Sequence, residues 1–168
     1  MADSLAELSR LRDPDALGTA IAWAAGRVLG LDAVALVRLS SEGILCDARW
    51  ARPGARPNRV GEARMATAAE MCEDAGGTVA QRVFGRLQLV AIPVHVDGAL
   101  SHVLAATARP DRVLTEEELA DAAAIGVHAG ACLEMMAAIT AAREYVLLEQ
   151  AVAPPAGTRG DRALEQMR

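Results

Sequence analysis

The sequence predicts an α+β fold in which helices cover a central antiparallel sheet. Two strand patterns within residues 87–108 flank Asp97-Gly98, a dipeptide typical of two-residue hairpin turns. A helix pattern then opens at Thr115 and continues without a breaking residue to Val152. An earlier pair of strand patterns lies within residues 33–50. Two hairpins followed by a long helix favour helices packed on an antiparallel sheet.

Length and composition indicate one globular domain. The chain has 168 residues, of which 52% are hydrophobic and 2% aromatic, so we expect a core built from small side chains. We assign residues 1–152 to this domain. After the break at Pro154-Pro155-Ala156-Gly157, residues 153–168 form a polar tail that we expect to be disordered.

The charge pattern argues against a nucleic-acid partner. The net charge is −5, and all 17 basic residues are scattered arginines. Binding to phosphate backbones needs clustered basic residues, and stacking on bases needs exposed aromatic side chains. We therefore expect no binding to DNA or RNA.

Cysteine usage and hydropathy predict a cytoplasmic protein with no membrane partner. The three cysteines are far apart and form no CxxC pair, which is typical of free, buried thiols in a reducing compartment. The N-terminus lacks a signal-peptide pattern. Apolar runs are interrupted before the roughly 20 residues that a membrane helix needs.

The first part of the chain predicts two helices. Leucines at spacing three mark a short helix over residues 4–11. Asp13-Pro14 starts a second helix as N-cap and first helical residue, and Gly30 follows as its C-cap. One face of this second helix carries the apolar residues Leu17, Ile21, Ala24 and Val28.

The middle of the chain predicts a hairpin, a loop, a helix and a short strand. Residues 33–39 are nearly all apolar, which favours an internal strand. Alternation in the next strand places Cys46 and Trp50 on one face. The loop 51–61, rich in Pro, Gly and Arg, leads into a helix over residues 62–74. This helix has Met65, Ala69 and Cys72 on one side, and a short strand over residues 79–83 follows it.

The last hairpin and helix carry the clearest local signals. Pro93 lacks an amide donor, so its strand must be an edge there, contain a bulge, or bond through its other side. Thr115 and Glu118 have the spacing of a capping box.

The long helix carries two apolar stripes, which predicts two packing partners: the sheet, and a second helix from the N-terminal segment or another subunit. The first stripe comprises Leu119, Ala122, Gly126, Ala129, Leu133 and Met136. The second comprises Ile125, His128, Cys132, Met135, Ile139, Ala142 and Val146.

The order of these elements resembles the GAF domain family. The family's closing hairpin has the form V-P-L-x-V-x-G-x-x-I-G-V-L, and residues 92–104 read I-P-V-H-V-D-G-A-L-S-H-V-L. Its helix signature, Phe/Leu-Thr-x-E-E, matches Leu114–Glu118. The resemblance covers residues 14–145, with the specific motifs in the last third. His102 stands where the family has a second glycine.

The resemblance implies a six-stranded antiparallel sheet, with terminal helices on one face and a helix and loop segment over the other. Such domains often hold a cyclic nucleotide, bilin, haem or amino-acid-like effector beneath that segment, and many dimerise through their terminal helices. For this chain the cofactor stays unassigned. The residues expected to line a ligand site are Cys46, Trp50, Met65, Cys72, Phe84 and His102.

Each candidate also has a plainer interpretation. Core packing is the favoured interpretation of Cys46 and Trp50, and no cysteine has the adjacent histidine of a bilin attachment site. Among the histidines, His102 is the best candidate for ligand or haem contact, although a hydrogen-bonded structural role is favoured over either. We expect His95 to be exposed and His128 to line a helix interface. Methionines Met65, Met71, Met135 and Met136 fit a pocket, an interface or core filling, and Arg52, Arg56 and Arg59 fit an anion gate or a solvated loop.

These features favour a non-catalytic sensing or regulatory domain that acts through a helix-mediated homodimer or a signalling partner. No zinc motif, G-x-S-x-G, P-loop or GxGxxG occurs, so we assign no catalytic or metal-binding residue. In the proposed mechanism, a ligand shifts the loop 51–61 and tilts the long helix. The alternatives are an interaction module with a collapsed pocket and a thiol enzyme of the free methionine sulfoxide reductase kind. The last would need clustered cysteines.

Overall fold

The computed structural model describes residues 13–56 and 60–152, with side chains to residue 148. The predicted helix over residues 4–11 and the tail over 153–168 lie outside this range. The chain divides into two compact units, one up to Met136 and one from Ala137. The helices are α1 (Pro14–Val28), α2 (Glu62–Asp74) and α3 (Glu116–Val152). The strands are β1 (Ala33–Ser40), β2 (Gly43–Ala51), β3 (Ala80–Phe84), β4 (Leu87–Val96) and β5 (Ala99–Ala108).

The strands form one antiparallel sheet in the order β2-β1-β5-β4-β3. Within the described residues the sheet has five strands and not the six that the family resemblance implied. The strand patterns in the sequence itself account for these five. The predicted internal position of β1 is confirmed, because β1 pairs with both β2 and β5.

Each face of the sheet carries its own apolar cluster. The α1/α3 face joins α1 and α3 to the sheet through side chains such as Leu17, Leu36, Ile92, Leu104 and Ile125. The opposite face packs against α2, and we call this group the α2 cluster. Its buried members are Ala33, Ala35, Val37, Val60, Met65, Ala68, Met71, Cys72, Leu89, Ala91, Val103 and Ala105.

The predicted start of α1 is confirmed, whereas its C-cap is Leu29 and not the predicted Gly30. The Asp13 side chain accepts a hydrogen bond from the Asp15 amide at 3.2 Å, and Pro14 begins the helix. Gly30 follows the helix with a φ of +63°, a left-handed conformation that glycine adopts at little cost.

Two irregularities in strand pairing change which side chains face which helix. In β1 and β2, Leu36 pairs with Ala48 and Val37 pairs with Cys46, so Asp47 is an extra residue. In β4 and β5, Val94 pairs with His102 and His95 pairs with Leu100, so Ser101 is also extra. A single extra residue reverses the alternation of the strand beyond it.

Helix α3 approaches the backbone of β4 through two glycines. A Cβ at Gly126 would overlap the Pro93 carbonyl oxygen, and a Cβ at Gly130 would overlap that of His95. The last residue pair between β3 and β4 is Ala80 with Ala91, and Pro93 lies beyond it in β4. The missing amide donor of Pro93 therefore faces no acceptor in β3. Because this part of β4 has no β3 partner, and because Gly126 and Gly130 have no Cβ atoms, α3 lies close to the β4 backbone.

The start of α3 is fixed by side chains. The predicted capping box is confirmed: the Thr115 amide donates to Glu118 Oε2 at 2.9 Å, and the Glu118 amide donates to Thr115 Oγ1 at 3.3 Å. Arg112 also donates to Glu118. On β3, Gln81 pairs with the Leu114 backbone, donating to the carbonyl at 3.0 Å and accepting from the amide at 2.9 Å.

The two predicted stripes of α3 do not separate as the sequence analysis proposed. Ile125 and Cys132, which belong to the second stripe, are buried on the α1/α3 face together with Ala122 and Ala129 of the first. The helix therefore meets the domain with parts of both stripes up to Met136. Helix α1, from the N-terminal segment, belongs to the same cluster and is one of the two second partners that the sequence analysis named.

The second unit begins at Ala137 and contains the last part of α3. Four successive large side chains, Tyr145, Val146, Leu147 and Leu148, are exposed there. One described helix span, Glu116–Leu148, is long and apolar enough to cross a membrane, which the sequence analysis did not anticipate. A core helix passes the same test, and 39% of the most apolar stretch is buried.

Candidate functional site

The α2 cluster is the region in which the family resemblance placed a ligand. Glu62–Asp74 forms a helix whose inward side carries Met65, Ala68, Met71 and Cys72. These side chains rest on a sheet surface made largely of alanine, so α2 packs closely. Met65 is 4% exposed and Met71 is 3% exposed, so both methionines fill the space between α2 and the sheet.

One polar side chain lies on this apolar face. Thr107 pairs with Ala33 in β1 and with Leu89 in β4, and both partners belong to the α2 cluster. Paired residues point to the same face of a sheet, so the Thr107 side chain faces α2. Thr107 is 0% exposed, and its hydroxyl has no hydrogen-bond partner in the described part of the chain.

A partly buried ion pair lies at the adjacent end of the sheet. The Asp32 amide donates to the Thr107 carbonyl at 2.8 Å, and the Arg52 amide donates to the Asp32 carbonyl at 2.9 Å. Arg52 Nη2 also lies 2.8 Å from Asp32 Oδ1. This carboxylate is almost fully buried, whereas Arg52 is half-exposed. The pair therefore fixes the start of the loop after β2 beside Thr107.

Cys72 is a packing residue in this state. Its thiol is fully buried, and burial raises its pKa to about 12, with a smaller contribution from Glu73. A thiol with this pKa carries almost no thiolate at neutral pH, and the thiolate is the reactive form. Cys72 can thus line a ligand site but is not poised for nucleophilic chemistry.

The structure brings only two of the six predicted site residues together. Met65 and Cys72 share the α2 cluster, whereas Trp50 packs on the α1/α3 face and Phe84 is exposed at the end of β3. The prediction that Cys46 and Trp50 share a face is wrong, because the extra residue Asp47 lies between them. Cys46 pairs with Val37, and Trp50 pairs with Val34 on the opposite face.

His102 faces away from α2. It pairs with Arg38 in β1 and with Val94 in β4, on the α1/α3 face. Its Nε2 lies 3.3 Å from Asp47 Oδ2, and its Nδ1 lies 2.9 Å from Ser101 Oγ. Burial lowers the pKa of His102, and the neighbouring Asp47 carboxylate opposes that effect. Because both ring nitrogens have partners, the hydrogen-bonded structural role agrees with this geometry.

The remaining histidines and cysteines are dispersed. His95 is exposed, as predicted, and His128 is half-buried on α3. Cys132 is buried on the α1/α3 face, opposite Cys72, while Cys46 is exposed, contrary to the prediction of three buried thiols. Cys46 Sγ accepts from Arg49 Nε at 3.1 Å. In the described residues, no group of three His, Cys, Asp or Glu side chains is placed to hold a metal ion.

The sequence analysis missed Thr107 and Asp32 as site residues. Thr107 is the one polar residue in a run of alanines near the end of β5, and Asp32 immediately precedes the apolar strand β1. A lone polar residue in an otherwise apolar, buried strand is the available signal in both cases. Their proximity depends on the pairing of β1 with β5, which the sequence does not specify.

Comparison with known proteins identifies the fold. No protein-family model and no curated protein matches this sequence. Among solved structures, bacteriophytochrome RpBphP3 from the photosynthetic bacterium R. palustris is similar with a TM-score of 0.70 and 10% identity, covering 90% of this chain and 40% of that one. The GAF domain of Acinetobacter phosphoenolpyruvate-protein phosphotransferase gives 0.60 and 11%, covering 92% and 94%. Residues 122 to 287 of a methyl-accepting chemotaxis protein give 0.58 and 15%, covering 79% and 96%.

The chain therefore has the GAF fold, as its closing hairpin and capped helix predicted. The GAF domain of the Acinetobacter protein is matched over nearly its whole length. The chain spans less than half of the phytochrome chain.

Proposed function

We propose that this chain is a non-catalytic regulatory domain of the GAF fold that acts in signalling. The observation that carries the proposal is the arrangement of α3. Up to Met136, its buried side chains belong to the cluster on the α1/α3 face, whereas Tyr145, Val146, Leu147 and Leu148 present large apolar surfaces to solvent. A domain that couples a sheet to an exposed apolar helix is suited to contact a partner. Structural similarity to part of a methyl-accepting chemotaxis protein supports a signalling role.

The partner that we propose for the second unit is another copy of this chain. Ile139 and Val146 are seven residues apart, and Ala142 lies between them at the other position of an apolar heptad. These three residues lie on one face of the helix together with Arg143 and Leu147. Two such helices side by side would cover this face and remove its apolar surface from water. Homodimerisation through the terminal helices was also the expectation from sequence.

Oligomeric state tests this proposal directly. We expect size-exclusion chromatography with light scattering to give a dimer at tens of micromolar, and the double variant Ile139→Asp/Val146→Asp to give a monomer. Ala141→Asp is the matched control, because Ala141 lies on the same exposed helix outside the heptad positions. A monomeric wild-type protein, or equal loss of dimer in the control, would contradict the interface.

The ligand site that we propose lies between α2 and the sheet. Two methionines there have flexible side chains that can repack around a guest, and the Thr107 hydroxyl offers one unused hydrogen-bonding group. Ligand binding would shift the domain between two states only if the two states have different affinities. Native mass spectrometry of the purified protein, followed by a thermal-shift screen of cyclic nucleotides, haem and amino acids, tests this site.

A ligand-free interaction module is the second candidate. It is favoured by the close packing of the α2 cluster, in which Met65, Met71 and Cys72 are all buried against small sheet residues. This candidate predicts the same dimer but no co-purified molecule and no thermal shift with any compound. The ligand experiments therefore separate the two candidates, while the oligomeric state tests their shared feature.

The thiol-enzyme alternative receives no support from the placement of the cysteines. Cys72 and Cys132 lie on opposite faces of the sheet, and Cys46 is exposed on the edge strand β2. Attack and resolution in a thiol reductase require two sulfurs that meet. Thiol-dependent turnover of methionine sulfoxide, lost in a Cys→Ser series, would restore this alternative.

A further inference from the structure

We propose that the Thr107 hydroxyl anchors a small, uncharged ligand with an apolar body and one hydrogen-bonding group, held between α2 and the sheet. This inference rests on the regulatory ligand site proposed above and specifies its chemistry. The juxtaposition behind it is a buried, unpartnered hydroxyl facing a helix lined with methionines.

The hydroxyl is the polar anchor. Thr107 is 0% exposed, and its Oγ1 forms no hydrogen bond with any described group. A buried polar group without a partner carries the full desolvation penalty, and a guest that forms one hydrogen bond would remove this penalty. The strand register directs the side chain toward α2, since Ala33 and Leu89 on either side belong to the α2 cluster.

The side chains of the α2 cluster determine which ligand charge is favoured. Every buried member of the α2 cluster is apolar. The neighbouring Asp32 carboxylate is already paired with Arg52 at 2.8 Å, so its charge is compensated. An ionised guest resting on this surface would lose hydration without gaining a counter-charge from the cluster. The cluster therefore favours a neutral molecule over a carboxylate or phosphate.

The packing sets the size of the guest. Met65 and Met71 occupy the space under α2, and both are more than nine-tenths buried. Methionine has three rotatable side-chain bonds and fills irregular gaps, so these two residues can repack around a small guest.

Three matched probes test the chemistry: phenol, toluene and benzoate, which share a ring and differ in polarity and charge. Binding is followed by the NMR signals of the Met65 and Met71 ε-methyl groups in methyl-labelled full-length protein. We expect phenol to perturb both methyl signals and to bind more tightly than toluene, while benzoate leaves them unchanged. The Thr107→Val variant keeps the side-chain shape and removes the hydroxyl, so we expect phenol affinity to fall by roughly 3–10-fold, to the level of toluene.

The matched control is Thr67→Val on α2. The Thr67 hydroxyl already donates to the Ala63 carbonyl at 3.0 Å, so its removal should leave phenol binding unchanged. Equal phenol affinity in Thr107→Val and wild type, or binding of benzoate as tight as that of phenol, overturns the inference while leaving a ligand site under α2. Failure of all three probes to move either methyl signal overturns the inference itself. The ligand screen and the oligomeric-state measurement then decide the proposed function independently.

Discussion

The ring of Trp50 in β2 occupies the space that a side chain on Gly26 of α1 would fill. A Cβ at Gly26 would overlap three ring atoms of Trp50, Cε3, Cζ3 and Cη2. The helix and the edge strand thus share one large aromatic contact that depends on the absence of a methyl group. Trp50 therefore packs on the α1/α3 face of the sheet and does not face α2.

The first prediction concerns this contact. Gly26→Ala should lower the free energy of unfolding by about 1–3 kcal/mol, because overpacking outweighs the better helix propensity of alanine. Chemical denaturation measures the loss. Thr19→Ala, an exposed position of the same helix, is the control and should change stability little.

A double-variant cycle sharpens this test. Adding Trp50→Leu to Gly26→Ala removes the overlapping ring, so the two substitutions together should cost less than the sum of their separate costs. Strict additivity would show that the ring and the glycine do not constrain each other.

The second prediction concerns the approach of α3 to β4. Gly130→Ala should destabilise the domain by about 1–3 kcal/mol, since the new methyl group would meet the His95 carbonyl oxygen, which belongs to the backbone and cannot rotate away. Ala131→Gly is the matched comparison, because Ala131 is exposed and its change tests only helix propensity, about 1 kcal/mol. Stabilisation by Gly130→Ala would show that α3 lies farther from the strand.

The third prediction concerns pH and His102. Burial lowers its pKa below the ordinary 6.5, despite the opposing effect of Asp47, so the unfolded chain takes up the proton first as pH falls. This contribution to stability is complete above about pH 6.5 and declines as pH decreases toward the folded pKa. Arg38, which pairs with Asp47 at 3.1 Å, acts in the same direction as burial.

Thermal unfolding across this pH range measures the effect. We expect His102→Gln to flatten the stability profile just below pH 6.5, after subtraction of the profile of His95→Gln, which changes an exposed histidine. Asp47→Asn should lower the His102 pKa further, as read from imidazole NMR signals, because the attractive carboxylate is lost. A higher pKa in Asp47→Asn would contradict the assigned contact.

The fourth prediction concerns the capping residue Glu118. Hydrogen bonds from Arg112, and secondarily from Thr115, lower the pKa of this carboxyl from 4.5 to about 2. Its contribution to stability is therefore present above pH 4.5 and is lost as pH falls through about 2. Carboxyl NMR titration should find the low midpoint, and Arg112→Gln should move it up toward 4.5. An unchanged midpoint in that variant would assign the shift to the backbone cap alone.

Local signals in the sequence predicted much of the fold. Asp13, Thr115 and Glu118 cap the helices that they were predicted to cap, and Asp97-Gly98 forms the predicted two-residue turn, with φ of 51° and 76°. Helix caps and tight turns depend on a few residues that are neighbours in the sequence, so they can be predicted without knowledge of the tertiary structure.

The side-chain environment was harder to predict, for a specific reason. An unbroken alternation in β2 assigns Cys46 and Trp50 to one face, but the extra residue Asp47 separates them. The sequence pattern of β2 alone does not indicate a bulge, because a bulge is defined by how β2 pairs with β1. His102 was likewise expected near a ligand, whereas its pairing with Arg38 and Val94 places it on the opposite face of the sheet.

The division of α3 into two separate apolar stripes was not confirmed, for a different physical reason. Glycines at positions 126 and 130 bring the helix close to the sheet, so side chains on either side of them, including Ile125 and Cys132, are buried too. When a helix lies this close to a sheet, residues of more than one apolar stripe are buried. Apolar periodicity alone does not report how near two elements lie.

The fixation of α3 at separate points has a mechanical consequence. Gln81 of β3 clamps the Leu114 backbone just before the helix, while Gly126 and Gly130 rest on β4. A rod held at its end by one strand and along its flank by the next cannot easily roll about its axis. The part of α3 up to Met136 is therefore fixed at its start and along its flank to two adjacent, hydrogen-bonded strands, so its orientation depends on the pairing of β3 with β4.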